Sequence, residues 1–187
     1  MGLTFIASRT ADEPGTGSGE ATLSFTSGID STYNEYQFYY VNIHPETDGA
    51  SFNFQVETDG TDYDHPMITT FFQAYHGEAG SPTGPVYSSG NDQATSGDGN
   101  GVFSKLAKEM GNGNDEAGSG VLTLYAPSNT TYVKHFTNTS NNYQGSNFSM
   151  SAYTAGYINI ATAITRVQFK MSSGDIDAGT IYMYGVS

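Results

Sequence analysis

"ITRVQFKMSSGDIDAGTIYMYGVS", residues 164–187, decides the fold class. It holds two runs of β-branched and aromatic residues on either side of a Ser/Gly/Asp stretch, the composition of strand, turn and strand. In the first run Thr165, Val167, Phe169 and Met171 alternate with Ile164, Arg166, Gln168 and Lys170, the two-residue period of a strand with opposite faces. The stretch predicts a hairpin, with strands at 164–171 and 180–186 and a turn over 172–179. Val167, Phe169, Met171, Tyr182 and Tyr184 are expected in the core, and Arg166 and Lys170 on the far face. Ser172, Ser173, Asp175 and Asp177 read as turn residues, not as a catalytic group.

The same pattern recurs along the chain. Further strands are expected near 3–9, 21–26, 36–43, 51–57, 67–75, 121–125, 132–138 and 147–154. In "SFNFQVE" (51–57) Phe52, Phe54 and Val56 form one row and Ser51, Asn53, Gln55 and Glu57 the other, which predicts a sheet packed on one side and wet on the other. "VFSKLAKEM" (102–110) is the one helical candidate, with Phe103, Leu106 and Met110 at i, i+3 and i+7, and at two turns it predicts a short helix or none. Residues 76–101, rich in Gly, Ser, Pro, Asn and Asp, read as one long loop. With no strand–helix–strand alternation, the expectation is an all-β fold: a two-sheet antiparallel sandwich, jelly-roll-like, forming a single domain over 1–187.

The composition fits. There are 23 Gly, 14 Tyr and 11 Phe but no Trp and no Cys among the 187 residues. The lack of Cys removes disulfides, thiolate nucleophiles and cysteine metal sites together. A net charge of −13, with only six scattered Lys and Arg, opposes binding to nucleic acid and to anionic membranes. No apolar run is long enough for membrane insertion. "MGLTFIASRTADEPG" lacks the basic lead and apolar length of a secretion signal, so synthesis in the cytoplasm is expected. The Asn-x-Ser/Thr triplets at Asn129, Asn138 and Asn147 then carry no glycosylation meaning.

Candidate chemistry is sparse. His44, His65, His76 and His135 show no ligand spacing, and no G-x-S-x-G elbow is present. Most carboxylates fall in turns; Glu57 is the main strand-borne acid and has no acidic partner two residues on, so paired-acid hydrolysis has no support. Acid-rich "DGTDYD" supplies Asp59, Asp62 and Asp64 as calcium candidates, set against their ordinary role in turns. Tyr39, Tyr63 and Tyr75 are candidates for stacking on a ligand, set against core packing. No cofactor and no catalytic residue is expected.

Three stretches carry a resemblance: "SFTSGIDSTYNEYQFYYVNIHPETDGASFNFQ" (24–55), "GNGNDEAGSGVLTLYAPSNTTYVKHF" (111–136) and residues 164–187. In order and spacing they resemble small virion proteins of tailed phages of marine bacteria. The resemblance implies a β-sandwich that acts by assembly or host contact, as a tail-fibre or appendage component or a capsid decoration. It also implies partners: itself as a homotrimer, and other virion proteins. Location would be the virion, after synthesis in the bacterial host. A carbohydrate- or receptor-binding module at a tail tip is the alternative, with a host-surface glycan as ligand.

Overall fold

The computed structural model describes residues 2–11, 19–94 and 102–187. Twelve strands, all paired antiparallel, and one 3-10 turn at Ser89–Asn91 make up its regular structure. They are β1 (Leu3–Ala11), β2 (Leu23–Phe25), β3 (Glu35–Pro45), β4 (Ala50–Glu57), β5 (Met67–Gly77) and β6 (Thr83–Tyr87), then β7 (Ser104–Met110), β8 (Gly118–Tyr125), β9 (Lys134–Gln144), β10 (Phe148–Ile158), β11 (Arg166–Met171) and β12 (Ile176–Val186). Pairing follows two runs. The longer is β1-β12-β3-β8-β9-β10-β5-β6 and the shorter β7-β4-β11-β2.

Both ends of the shorter run meet the longer one, so the antiparallel sheets are nearly closed into a barrel. At one end β7 shares a single backbone pair with β9, Met110 opposite Gln144. Side chains complete that seam. Asn138 Nδ2 and Ser140 Oγ donate to the Leu106 carbonyl at 2.9 and 2.7 Å, and Thr154 Oγ1 donates to that of Lys105 at 2.8 Å. At the other end β1 lies beside β2, where Arg9 Nε donates to the Ser24 carbonyl at 2.8 Å. Between the runs lies the core. Phe169 is its hub, stacked on Phe52 at 5.7 Å and touching Phe25, Phe38 and Phe54.

Several expectations are corrected here. Residues 164–187 are not a hairpin: β11 pairs with β4 and β2, while β12 pairs with β3 and β1. The stretch between them carries the chain from the short run to the long one. Ser172 N donates to the Ser51 carbonyl, Glu46 N to that of Asp175, and Gly174 takes a left-handed φ of 65°. Tyr182 and Tyr184 point outward, and Ile181 and Met183 fill the core. Bulges on either side of Ala178, with Gly179 at φ 115°, set that phase.

"VFSKLAKEM" forms strand β7, not a helix. A bulge at Lys105–Ala107 turns the neighbours Leu106 and Ala107 both inward, and Met110 follows three residues later. That breaks the two-residue period into spacings that imitate a helix. The loop expected over 76–101 holds the end of β5, then β6 as an edge strand, then Gln93 and Ala94 bonded back to Thr69 and Ile68. Pro85 and a polar composition hide this strand, as edge strands permit. Its last part, 95–101, lies outside the described residues. The wet face expected for β4 is also absent: Ser51, Asn53, Gln55 and Glu57 are all buried.

Candidate functional site

Strand register on the longer run places one exposed row across all eight strands. Reading directly opposed residues, it runs Ser8, Tyr182, Tyr39, Val121, Thr139, Tyr153, Phe72, Tyr87. None of the eight is buried. Seven steps of ~4.8 Å make the row about 34 Å long. A second row beside it runs Phe5, Tyr184, Gln37, Thr123, Thr137, Ala155, Thr70. Outside these lie Leu3, Val186, Glu35 and Tyr125 with His135, Tyr157 and Ile68 on one flank. On the other lie Thr10, Thr180 and Val41 with Ser119, Asn141, Ser151, Ala74 and Pro85.

Glu35 is the only formally charged side chain in these four rows, in a protein of net charge −13. The face is polar through hydroxyls and amides. Gln37 Nε2 donates to Glu35 Oε1 at 2.7 Å, Tyr39 Oη to Gln37 Oε1 at 2.8 Å, and the Thr10 and Thr180 hydroxyls meet at 3.0 Å. Its bulkiest apolar side chains are aromatic. Phe72 and Tyr153 stack at 4.8 Å with planes 10° apart, and Tyr184 meets Tyr39 and Phe5 edge-on at 5.7 Å. Phe72 is 50% exposed and Tyr87 62%, with the Tyr87 hydroxyl bonded to Asp92 at the β6 end.

The expected site residues fall apart. Tyr39 lies in the central row. Tyr63 is 5% exposed and Tyr75 is half-buried with its edge on Phe148 at 6.0 Å, so neither offers a free ring. Asp59, Asp62 and Asp64 lie in the loop after β4, and this loop is organised around Glu57. Thr58 N donates to Glu57 Oε1 at 2.6 Å; Asp62 N and Tyr63 N donate to Oε2 at 3.2 and 3.1 Å. His65 Nε2 lies 3.2 Å from Oε1. Burial works to raise the Glu57 pKa, but the Thr58 and Tyr63 N–H groups, the His65 charge and the Thr58 hydroxyl outweigh it and hold the carboxyl at about 2. The loop turns donors inward onto an anion, the reverse of a cation cradle. Among the described residues no three His, Asp or Glu side chains converge on a point that could hold a metal ion.

A cleft of about 520 Å³ opens where β3 and β12 are bulged beside the end of β1, lined by His44, Asp115, Glu116, Thr10 and Thr180 among others. His44 bridges the Gly113 carbonyl at 3.1 Å and Asp177 Oδ2 at 3.4 Å, and Glu116 Oε2 accepts from Gly113 N at 2.6 Å. The threonine hydroxyls bond to each other instead of to His44. His44 here sits between the Gly113 loop and Asp177, and Glu116 closes its own turn.

Phe72, Tyr87 and Tyr153 are face residues that the sequence reading did not single out, and Tyr182 is one it placed in the core. A signal existed: in "FFQAY" and "IYMYG" adjacent bulky residues on a strand cannot all face one core, so some ring must face out. The chain matches no family model, no curated protein and no solved structure, and its chemistry has to be read from its own residues.

Proposed function

We propose that this protein acts by contact and not by chemistry. It is a jelly-roll-like β-sandwich that assembles with copies of itself on the exterior of a bacteriophage virion, as a tail appendage, fibre component or capsid decoration. The observation that carries this reading is the aromatic-rich face with Glu35 as its single formal charge. Of the large apolar side chains exposed among the described residues, Leu3, Phe5, Val41, Phe72, Tyr87, Tyr125, Tyr153 and Tyr182 all lie on it; Val86, Val102 and Tyr132 do not. Exposed apolar area gathered on one face is the mark of an interaction surface.

Charge favours a second copy as the occupant. Two molecules of net charge −13 repel wherever their carboxylates meet, and this face lets them approach without that cost. Four rows ~6.8 Å apart and about 29–34 Å long cover roughly 650 Å², approaching the ~800 Å² per partner of a standard interface. Ring geometry favours a protein over a flat ligand. Phe72 and Tyr153 spend a ring face on each other, while side chains of a facing sheet can pack between the rows. The virion setting and a homotrimer are supported by the resemblance of residues 24–55, 111–136 and 164–187.

Light scattering on the purified protein tests the assembly. A discrete oligomer is expected for the wild type, and monomers with an unchanged circular dichroism spectrum for Phe72→Asp/Tyr153→Asp. A wild-type monomer at micromolar concentration contradicts it. Antibodies raised to the native protein should label purified particles; unlabelled particles remove the virion setting.

A further inference from the structure

We infer that a second, smaller site beside β8 and β9 binds neutral carbohydrate. A cleft of about 570 Å³ lies between the end of β8 and the start of β9, lined by Tyr125, Asn129, Thr131, Tyr132, Val133 and His135 among others. That volume is within the ~300–1,000 Å³ of small-molecule sites. It adjoins the large face but is not part of its rows, apart from Tyr125 and His135 at the margin.

Three properties set the ligand class. First, the ring faces are available. Tyr132 is 71% exposed, and among the described residues no other ring stacks on Tyr132 or Tyr125. This contrasts with Phe72 and Tyr153, which occupy each other. A pyranose presents a patch of C–H groups that packs on such a face, and tyrosine keeps a hydroxyl tip in water. Second, polar groups are at hand. Asn129 Oδ1 accepts from Thr131 N and Tyr132 N at 2.7 and 2.8 Å, which uses its acceptor and leaves the amide donors without a partner among the described residues. The His135 ring meets Tyr157 edge-on and has no hydrogen-bond partner among the described residues, so its nitrogens can bond a hydroxyl. Third, the lining holds no Asp, Glu, Lys or Arg. In a chain of net charge −13, an uncharged cleft suits an uncharged ligand, while uronate or sialylated glycans meet the repulsion of the whole protein.

The cleft is also preformed. Ala126 sits at φ 45°, a left-handed position that a non-glycine residue holds only when its surroundings enforce it. Here they do: Ala126 N donates to the Asn34 carbonyl at 2.6 Å, and Ile164 N to that of Pro127 at 2.9 Å. Beneath the loop, buried Lys134 donates Nζ to the carbonyls of Tyr132 at 3.1 Å and Ile160 at 3.3 Å, fixing the backbone that presents Tyr132. A loop held this firmly loses little freedom on binding.

The test is an array of neutral hexose and N-acetylhexosamine oligosaccharides printed beside uronate and sialylated ones. Hits are followed by titration calorimetry on wild type, Tyr132→Ala, His135→Ala and Tyr132→Trp. Wild type should bind neutral glycans. Tyr132→Ala should weaken binding at least tenfold and His135→Ala several-fold, with melting temperature and native mass unchanged. Tyr132→Trp should retain binding and, as the only tryptophan in the chain, change its emission on titration. Folded wild type that binds no neutral glycan, Tyr132→Ala that binds as well as wild type, or a preference for acidic glycans overturns the site. Native mass, read on the same samples, separates this result from the fate of the assembly proposal.

Discussion

Strands β4 and β10 treat their alternate residues in opposite ways. On β4 the polar row Ser51, Asn53, Gln55 and Glu57 is buried beneath the protein's own chain. Gln55 Nε2 bonds the carbonyls of His65 and Val102, and Glu57 takes the N–H groups of the loop that follows it. On β10 the outward row carries Tyr153 and Tyr157, and no segment of the described chain covers Tyr153. Polar side chains are covered where aromatic ones stay bare. The difference teaches where the fold is complete in itself and where it waits for a partner. Buried polar groups are tolerable because nearly every donor finds an acceptor, whereas exposed rings gain only when something else excludes the water.

Removing the packing that both sides share gives the largest expected effect. Phe169→Ala deletes the ring at the centre of the Phe25, Phe38, Phe52 and Phe54 cluster and should cost about 3–5 kcal/mol in urea unfolding. A loss below about 1 kcal/mol would mean the core is not centred there.

Next comes the covered side alone. The Glu57 pKa of about 2 lies below its ordinary 4.5, so the folded state prefers the ionised form. Its stabilisation is complete above about pH 4.5 and is lost as the pH falls toward 2. The difference corresponds to about 3 kcal/mol. Glu57→Gln should therefore lower stability at neutral pH by roughly that amount and flatten the acid limb between those values. An unchanged acid limb would show that Glu57 does not organise the 58–65 loop.

The smallest effect on the fold is expected from the bare side. Tyr153→Asp should change monomer stability by about 1 kcal/mol or less, because its row contributes little to the core, yet it should dissolve the oligomer. A large loss of monomer stability would show instead that the aromatic face is structural.

Much of this was legible in the residues. Strands β1, β2, β3, β4, β5, β8, β10, β11 and β12 follow from β-branched and aromatic runs, and the Phe52, Phe54, Val167 and Phe169 rows face the core as their alternation requires. Partnership between strands was not legible. The chain between β11 and β12 has a hairpin's composition, but pairing is decided by long-range packing that local residues do not encode. The strand expected to end at 138 runs on to Gln144 in β9, where inward Ser140 and Asn142, like Asn138, serve the carbonyls of β7 instead of an apolar core, so no hydrophobic alternation marks them. Of the proposed ring residues only Tyr39 reached the face. The row itself depends on the register of eight strands, which bulges on β1, β3 and β12 shift in ways the sequence does not announce.

Oxidative footprinting of the wild-type protein tests the central claim most directly. Hydroxyl radicals modify exposed aromatic rings, and Tyr132 supplies an internal reference at 71% exposure. Phe72, Tyr87, Tyr153 and Tyr182 should be protected relative to Tyr132 in the wild-type protein and become reactive in Phe72→Asp or Tyr153→Asp. Row residues modified in the wild type to the degree their exposure in the single chain dictates would contradict an interface on this face.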